Sequence, residues 1–296
     1  MLKNLSGKSA AELYLLFIVF VWASNFSVVK YSLEEIDPFS FNAIRFFLAT
    51  LFMWVVVYIK RLKITVRKKD YGKLFLLAIL GNLLYQMLFI IGVDRTFASN
   101  AAVMLGLIPV WVALLSHLFT PEKMHRIQAI GVLLAFAGVA LISGGGEEGF
   151  SLQAETLIGD LIIVVAALVF AAYTLLSRSL LEEYSPLTLS VIVMTIGGSM
   201  LILVGIPSII RLDFSAVSTL SLAGVAYSGI FSIGLAYLIW NFGIKNTGTV
   251  RTAMYQNLVP VLGIAIGFIF LGEKLQYLQY IGSLLTIGGI MLSRHT

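Results

Sequence analysis

The chain has 296 residues, of which 59% are hydrophobic and only 12% are charged, and its mean hydropathy is +0.97. A soluble domain carries roughly 25% charged residues, so this composition excludes a soluble fold and predicts an integral membrane protein. The absence of cysteine excludes disulfides, thiolate metal sites and cysteine nucleophiles, and the three histidines lack metal-ligand spacing. The net charge of +5 is better explained by orientation in a membrane than by binding to nucleic acid.

Ten apolar runs have about the 20 residues that a helix needs to cross a bilayer. They cover residues 12–30, 38–59, 72–93, 98–119, 127–144, 158–177, 187–209, 218–243, 248–271 and 275–293. The first run is too long for a signal peptide and no cleavage site follows it, so we interpret it as an uncleaved helix. With the N-terminus inside, 15 of the 20 basic residues fall in cytoplasmic segments, which predicts a plasma or inner membrane protein with both termini in the cytoplasm.

The second half of the chain repeats the first. Residues 92–142 align without a gap on residues 243–293, and the stretch around Trp22 aligns on the stretch around Phe170. Each half has five predicted helices, an odd number, so the second half should enter the membrane in the opposite sense. The sequence thus predicts an all-α membrane protein with ten transmembrane helices in two inverted five-helix repeats, 1–145 and 157–296, joined by a linker loop at 146–156.

Arg45 lies about two turns into the second predicted helix, where a charge is costly unless it faces a cavity or a partner. It either snorkels to the membrane surface or faces inward, where it could bind a carboxylate. Trp22 and Asn25 share one face of the first helix, and Phe170 and Tyr173 are their counterparts in the sixth. These four side chains either bind a substrate with an apolar body and polar ends or pack helices together.

Further uncharged polar and aromatic side chains recur in three predicted helices. Their chemistry suits a pore lining, although hydrogen bonds between helices are the alternative. The candidates are Asn82, Tyr85 and Gln86 in the third helix, Tyr227, Ser232, Tyr237 and Trp240 in the eighth, and Tyr255, Gln256 and Asn257 in the ninth.

Pro109 and Pro260 lie mid-span in matched helices, where each ring removes a backbone hydrogen bond and bends the helix. The bend either only shapes a cavity or acts as a hinge. The fifth and tenth helices carry matched stripes of small residues, which we assign to packing between these two helices or at a dimer face. Glu12 and Asp160 also match, each at the start of a helix; complementing the helix dipole is favoured over a proton-coupling role.

The motifs W-A-S-N-F-S-x-x-K (Trp22 to Lys30) and P-F-x-F-x-x-x-R (Pro38 to Arg45) resemble the EamA branch of the drug/metabolite transporter superfamily. Both halves also carry the pattern A-x-x-x-x-x-x-P followed by E-x-x-x-x-x-Q-x-x-G, and the resemblance covers nearly the whole chain. It implies a ten-helix carrier that exposes a central cavity alternately to each side and moves small metabolites, often amino acids and often outward. The small four-helix relatives carry a proton-coupling glutamate in the first helix, whereas this first helix has only Glu12 at its entrance.

These observations together favour a secondary transporter that exports amino acids or similar zwitterionic or aromatic compounds. A nucleotide-sugar, sugar-phosphate or drug transporter is the alternative, but a phosphate calls for more than one buried cation. An intramembrane enzyme is a third possibility: residues 197–200 resemble a rhomboid serine motif, but no later intramembrane histidine follows. We expect no cofactor, no metal and no nucleic acid, with a small molecule and the bilayer as partners; the choice between monomer and homodimer stays open.

Overall fold

The computed structural model describes residues 7–96, 98–120, 125–144, 154–262 with 265, and 276–294, and all regular secondary structure in these ranges is helical. Most of the predicted linker 146–156 and the end of the ninth apolar run lie outside the described residues. The helices are α1 (Gly7–Leu33), α2 (Pro38–Ile59), α3 (Lys68–Asp94), α4a (Ala98–Leu105), α4b (Ile108–Phe119), α5 (Arg126–Gly144), α6 (Ala154–Leu181), α7 (Pro186–Arg211), α8 (Thr219–Thr247), α9 (Thr249–Met254) and α10 (Tyr277–Arg294).

Six of these helices, α1, α2, α3, α6, α7 and α8, are long and apolar enough to cross a membrane. The described residues also contain three shorter apolar helices, at Val103–Phe119, Arg126–Ile142 and Tyr277–Leu292. The prediction of an all-helical membrane protein is therefore confirmed for the described chain. The number of ten spans stays a prediction.

The starts of α2 and α7 are built alike. Asp37 caps α2 by accepting hydrogen bonds from two backbone amides, and Pro38 fills the first helical position. Ser185 caps α7 by accepting from the amide of Thr188, and Pro186 follows it. A proline fits at that position because the first amides of a helix have no intrahelical partner.

Contacts at the helix ends place α1 antiparallel to α8. A Cβ on Gly7 would lie 2.9 Å from the Asn246 side chain, near the end of α8. Just after α1, Glu35 accepts a hydrogen bond of 2.8 Å from the backbone amide of Ser218, just before α8. This bond holds the pKa of Glu35 below its ordinary value, because it stabilises the ionised carboxylate.

The same kind of contact places α6 antiparallel to α3. Just after α6, Glu183 pairs with Arg67, just before α3, and this contact raises the pKa of Arg67 above its ordinary value. Near the start of α6, a Cβ on Gly159 would lie 2.6 Å from the carbonyl oxygen of Arg95, which follows α3. Because only the short loops 34–37 and 60–67 separate α1, α2 and α3, the start of α1 and the start of α6 lie at opposite ends of the bundle.

Two helices contain π-helical segments in equivalent positions of the two halves, Ile79–Leu84 in α3 and Ser228–Leu235 in α8. A π segment adds an extra residue to a turn and is frequent at functional sites. Both segments lie in the middle of their helices, next to the cavity described below.

The fourth predicted helix is interrupted. Helix α4a ends at Leu105 and α4b begins at Ile108, so Pro109 lies in the first turn of a new helix, where its missing amide costs no hydrogen bond. In the second half, a 3-10 turn at Tyr255–Asn257 separates α9 from the helical residues around Pro260. Both prolines therefore follow an interruption instead of bending a continuous helix, and a hinge role stays a prediction.

Helices α5 and α10 pack against each other through their glycines. A Cβ on Gly138 would lie 2.3 Å from Thr286 Oγ1 and 2.5 Å from the carbonyl oxygen of Gly282. A Cβ on Gly289 would lie 2.5 Å from the carbonyl oxygen of Gly131. The stripes of small residues thus join the last helix of each half within one chain, which is the first of the two packing arrangements that the sequence left open.

Candidate substrate cavity

A cavity of about 50 Å³ lies between α1, α2, α3, α6 and α8, which is room for a few water molecules. Apolar side chains and rings form much of its wall, and polar groups converge on it from the two halves. Eight of the fourteen predicted substrate-binding residues line it: Trp22, Asn25, Arg45, Tyr85, Gln86, Ser232, Tyr237 and Gln256.

Arg45 faces the interior and does not snorkel to the surface, since its side chain is only 1% exposed. Its Nε donates to Asn42 Oδ1 (2.8 Å), Nη2 donates to Gln86 Oε1 (2.8 Å) and Nη1 donates to Ser228 Oγ (3.3 Å). These bonds use three of the five N–H groups of a guanidinium. The guanidinium also lies 5.0 Å from the centre of the Phe41 ring. Within the described residues no carboxylate pairs with Arg45, so its charge is buried without a counter-ion.

A chain of hydrogen bonds fixes the orientation of Gln86. Gln86 Nε2 donates to the hydroxyl of Tyr237 (3.0 Å), and that hydroxyl donates to the carbonyl oxygen of Gly81 (2.7 Å), inside the π-helical segment of α3. Because the hydroxyl proton is committed to Gly81, the hydroxyl can only accept from Gln86. The amide oxygen of Gln86 must therefore face Arg45, and α3 and α8 together hold the guanidinium in place.

Aromatic rings form another part of the cavity wall. Trp22 Nε1 donates to the backbone carbonyl of Ser232 (3.0 Å), so its indole is tied to the π-helical segment of α8. The Phe170 ring lies 4.5 Å from Tyr85 and 5.3 Å from Trp240, between centroids. Such clusters offer a large apolar surface of fixed shape, which suits the apolar body of a small ligand.

Asn25 lines the cavity and has an unused acceptor. Its side chain is buried, and its Oδ1 has no hydrogen-bond partner in the described part of the chain. A buried polar atom without a partner costs about 1–3 kcal/mol, so a bound donor would be stabilising. Asn257 is also fully buried, and neither its amide nitrogen nor its amide oxygen has a partner among the described residues.

The other predicted residues lie around the cavity and not on its surface. Asn82 donates to the carbonyl of Val193 (2.8 Å) and thereby joins α3 to α7. Tyr227 bonds to Ser24 (2.7 Å) beside an outer groove between α1 and α8. The remaining four are buried behind or beside the lining: Tyr173, Trp240, Tyr255 and Asn257.

Several residues that line or support the cavity were not predicted from the sequence. The apolar walls Phe26, Phe89, Leu105 and Ile233 stand in runs of similar residues, so no pattern distinguished them. Asn42, in contrast, had a detectable signal. It lies three residues before Arg45, the spacing at which two side chains meet on a helix.

Comparisons with known proteins agree with this architecture. The EamA-like transporter family matches residues 9–144 and again residues 157–294. The uncharacterized transporter YyaM of Bacillus subtilis is 30% identical over 93% of this chain and 90% of its own, and an uncharacterized transporter of Archaeoglobus fulgidus is 32% identical over 96% and 97%. A probable terminal-alkyne amino-acid exporter of Streptantibioticus cattleyicolor is 24% identical over 96% and 93%.

The fold is shared with a solved crystal structure, with a TM-score of 0.81 over 96% of each chain at 18% sequence identity. The fold, the two matches to the family model and the relatives named as transporters support the same assignment. This chain belongs to the EamA-like transporter family, and it is a multi-pass membrane protein that moves a small molecule.

Proposed function

We propose that the protein is an alternating-access exporter of amino acids or similar zwitterionic compounds with an apolar or aromatic body. The observation that carries this proposal is the buried charge of Arg45, held by three neutral side chains at the edge of an aromatic cavity. A buried charge without a counter-ion is costly, so a carboxylate entering the cavity would be bound strongly. The bidentate geometry of a guanidinium suits a carboxylate.

The rest of the cavity suits the other end of a zwitterion. The unpaired Oδ1 of Asn25 can accept a hydrogen bond from an ammonium group, and the rings of Trp22, Tyr85 and Phe170 can hold the apolar body. A phosphate with two charges would fit less well, because Arg45 is the single cation among the described residues of the lining. The relative named as an amino-acid exporter supports the same class of substrate.

The arrangement of helices supports a carrier built from ten spans in two inverted halves, 1–145 and 157–296. Helices α1 and α6 run in opposite directions, and the break between α4a and α4b matches the 3-10 turn that follows α9, both beside the cavity. Discontinuous helices at the interface of inverted repeats commonly bind substrate in secondary transporters. The charge distribution further supports cytoplasmic termini, and export then runs from the end that holds Glu12 toward the end that holds Asp160.

The first test is uptake of labelled amino acids by liposomes that contain the purified protein. We expect saturable uptake of at least one amino acid with a large apolar side chain. The unlabelled amino acid and its 2-hydroxy or 2-keto analogue should compete with the labelled substrate, because each keeps the carboxylate. The amide of the amino acid and its decarboxylated amine lack the carboxylate and should compete at least about tenfold less well, which corresponds to about 1.4 kcal/mol. Competition by the amines and not by the acids would contradict a role for Arg45 in binding.

The hydroxyl of Tyr237 should affect substrate affinity through Gln86. Replacing Tyr237 by Phe frees the Gln86 amide to turn, so Arg45 loses a fixed acceptor, at a cost of about 1 kcal/mol. We expect the KM of the best amino acid from that panel to rise about fivefold with little change in kcat. Tyr227→Phe removes a hydroxyl outside the cavity and serves as the matched control. An equal KM in both variants would show that the hydrogen-bond chain does not position Arg45.

A further inference from the structure

Two carboxylates occupy equivalent positions in the two halves and differ in their partners. Glu12 in the first helix of the first half pairs with Arg251 at the start of α9. Its counterpart Asp160, in the first helix of the second half, is bound by Asn100 in α4a, and the repeat aligns Asn100 with Arg251. The same contact is thus made at both ends of the bundle, but the second copy has a neutral amide where the first has a cation.

Within the described part of the chain, Asp160 is held by hydrogen bonds and by no ion pair. Asn100 Nδ2 lies 3.1 Å from Asp160 Oδ1 and 3.0 Å from Oδ2, and the hydroxyl of Thr96 donates to Oδ1 at 2.5 Å. The side chain is only 2% exposed. Among the described side chains at this end of α6, the charged neighbours are Asp94 and Arg95 at the end of α3, and both are exposed and make no ion pair with Asp160.

Charged groups on the other elements that pack against α6 lie farther away. His117 is in the last turn of α4b, and Lys245 is in the last turn of α8, where it donates to the backbone carbonyl of Tyr184 at the opposite end of α6. A buried carboxylate without a counter-charge is costly. No cation among the described residues balances this charge, so a positive charge can come from solution, and the smallest cation that fits without displacing Thr96 or Asn100 is a proton.

The surroundings of Asp160 accommodate both of its charge states. When the carboxylate is ionised, Thr96 donates to it, as its hydroxyl does at 2.5 Å. When the carboxyl is protonated, the same hydroxyl can accept from it, because a hydroxyl is both donor and acceptor. Protonation removes the charge that strengthens these bonds, and charge-assisted bonds are roughly twice as strong as neutral ones. The hydrogen bonding between α6 and α4a is therefore weaker in the protonated state.

Helix α4a connects this site to the cavity. Asn100 lies near its start and Leu105, its last residue, lines the cavity wall. The chain is interrupted directly after Leu105, so α4a can move without carrying α4b with it. We propose that Asp160 is a proton-binding site whose protonation releases α4a from α6 and opens the cavity toward the end of the bundle that holds Asp160. The assignment of that end to the outer side rests on the proposed function.

The absence of cysteine from the chain allows a test that needs no substrate. Ser232→Cys places one thiol in the cavity. The rate at which a membrane-impermeant methanethiosulfonate labels this thiol is measured in whole cells. It is divided by the labelling rate of a second variant, Lys30→Cys, at an exposed residue at the end of α1. We expect the normalised rate to rise on the order of tenfold as external pH falls from about 8 to about 5, because a lower pH favours the protonated, open state.

Two variants at the site should make the labelling rate independent of pH, one at a high rate and the other at a low rate. In the Ser232→Cys background, Asp160→Asn should give a high rate at every pH, because the neutral amide imitates the protonated acid. Asn100→Arg should give a low rate at every pH, because it supplies the cation that Arg251 supplies to Glu12. Asp94→Asn, an exposed neighbour, is the control and should keep the dependence on pH.

A flat rate in the parent, or a dependence on pH that survives Asp160→Asn, would overturn the proposal. Melting curves identify a variant that does not fold, and the two substitutions at the site then test the same idea independently. The labelling assay reports access to the cavity and not transport. Its failure is thus distinguishable from failure of the proposed transport function, which the liposome assay measures.

Discussion

Replacing Arg45 by methionine is expected to reduce transport strongly while leaving the protein folded. The substitution removes the guanidinium that we propose binds a carboxylate, and loss of one partner of a buried charge pair costs about 2–5 kcal/mol. We therefore expect kcat/KM for the best amino acid from the liposome panel to fall on the order of 100-fold. Arg45→Lys should restore little of it, because an ammonium cannot reproduce the fork of a guanidinium.

The stability of the Arg45→Met variant separates binding from folding. Methionine leaves the acceptors of Asn42 and Gln86 unsatisfied, but it also removes a buried charge, and these two effects offset each other. We expect the melting temperature, followed by tryptophan fluorescence, to stay within about 4 °C of the parent. Arg211→Met, at an exposed arginine at the end of α7, is the matched control and should transport normally. A large drop in melting temperature would instead make Arg45 a structural residue.

The second large effect is expected at the contact between α5 and α10. A Cβ on Gly289 would lie 2.5 Å from the carbonyl oxygen of Gly131 and 2.6 Å from the backbone nitrogen of Ala135. Backbone atoms cannot turn aside as a side chain can, so Gly289→Ala must push the two helices apart. Overpacking of this kind costs about 1–3 kcal/mol, and we expect a value near the upper end.

The neighbouring glycine provides the control. A Cβ on Gly288 would meet no atom within 4 Å, and alanine is the better helix former by about 1 kcal/mol. Gly288→Ala should therefore unfold at the same temperature as the parent or slightly above it. If both variants lost stability equally, or if Gly289→Ala changed only the oligomeric state, the glycine stripe would not be a contact within one chain.

The helices and the repeat could be predicted because both leave strong patterns in a sequence. Apolar runs of bilayer length are visible without any structural knowledge, and gap-free matches such as Gly138 with Gly289 do not depend on tertiary contacts. The direction in which Arg45 points left no such pattern. Apart from Asn42, its nearest neighbours in α2 are apolar, so periodicity alone identified no inner face.

Interruptions of helices were harder to predict than the helices themselves. A proline in the middle of an apolar run is compatible with a bent helix and with the first turn of a second helix, and Pro109 is in the second arrangement. The π-helical segments left no signal that the sequence analysis used, because an extra residue in a turn depends on tertiary packing. The orientation of Gln86 follows from its contact with Tyr237, 151 residues away.

The contact between α5 and α10 also affects how the protein is made. Helix α5 begins at Arg126, but its partner begins only at Tyr277, near the end of the chain. At about 5–20 residues per second of synthesis, the glycine face of α5 waits on the order of ten seconds or more for its partner. During that time the bilayer or an insertion factor must cover this face, and a ribosome that stops before α10 releases a chain that cannot complete its fold.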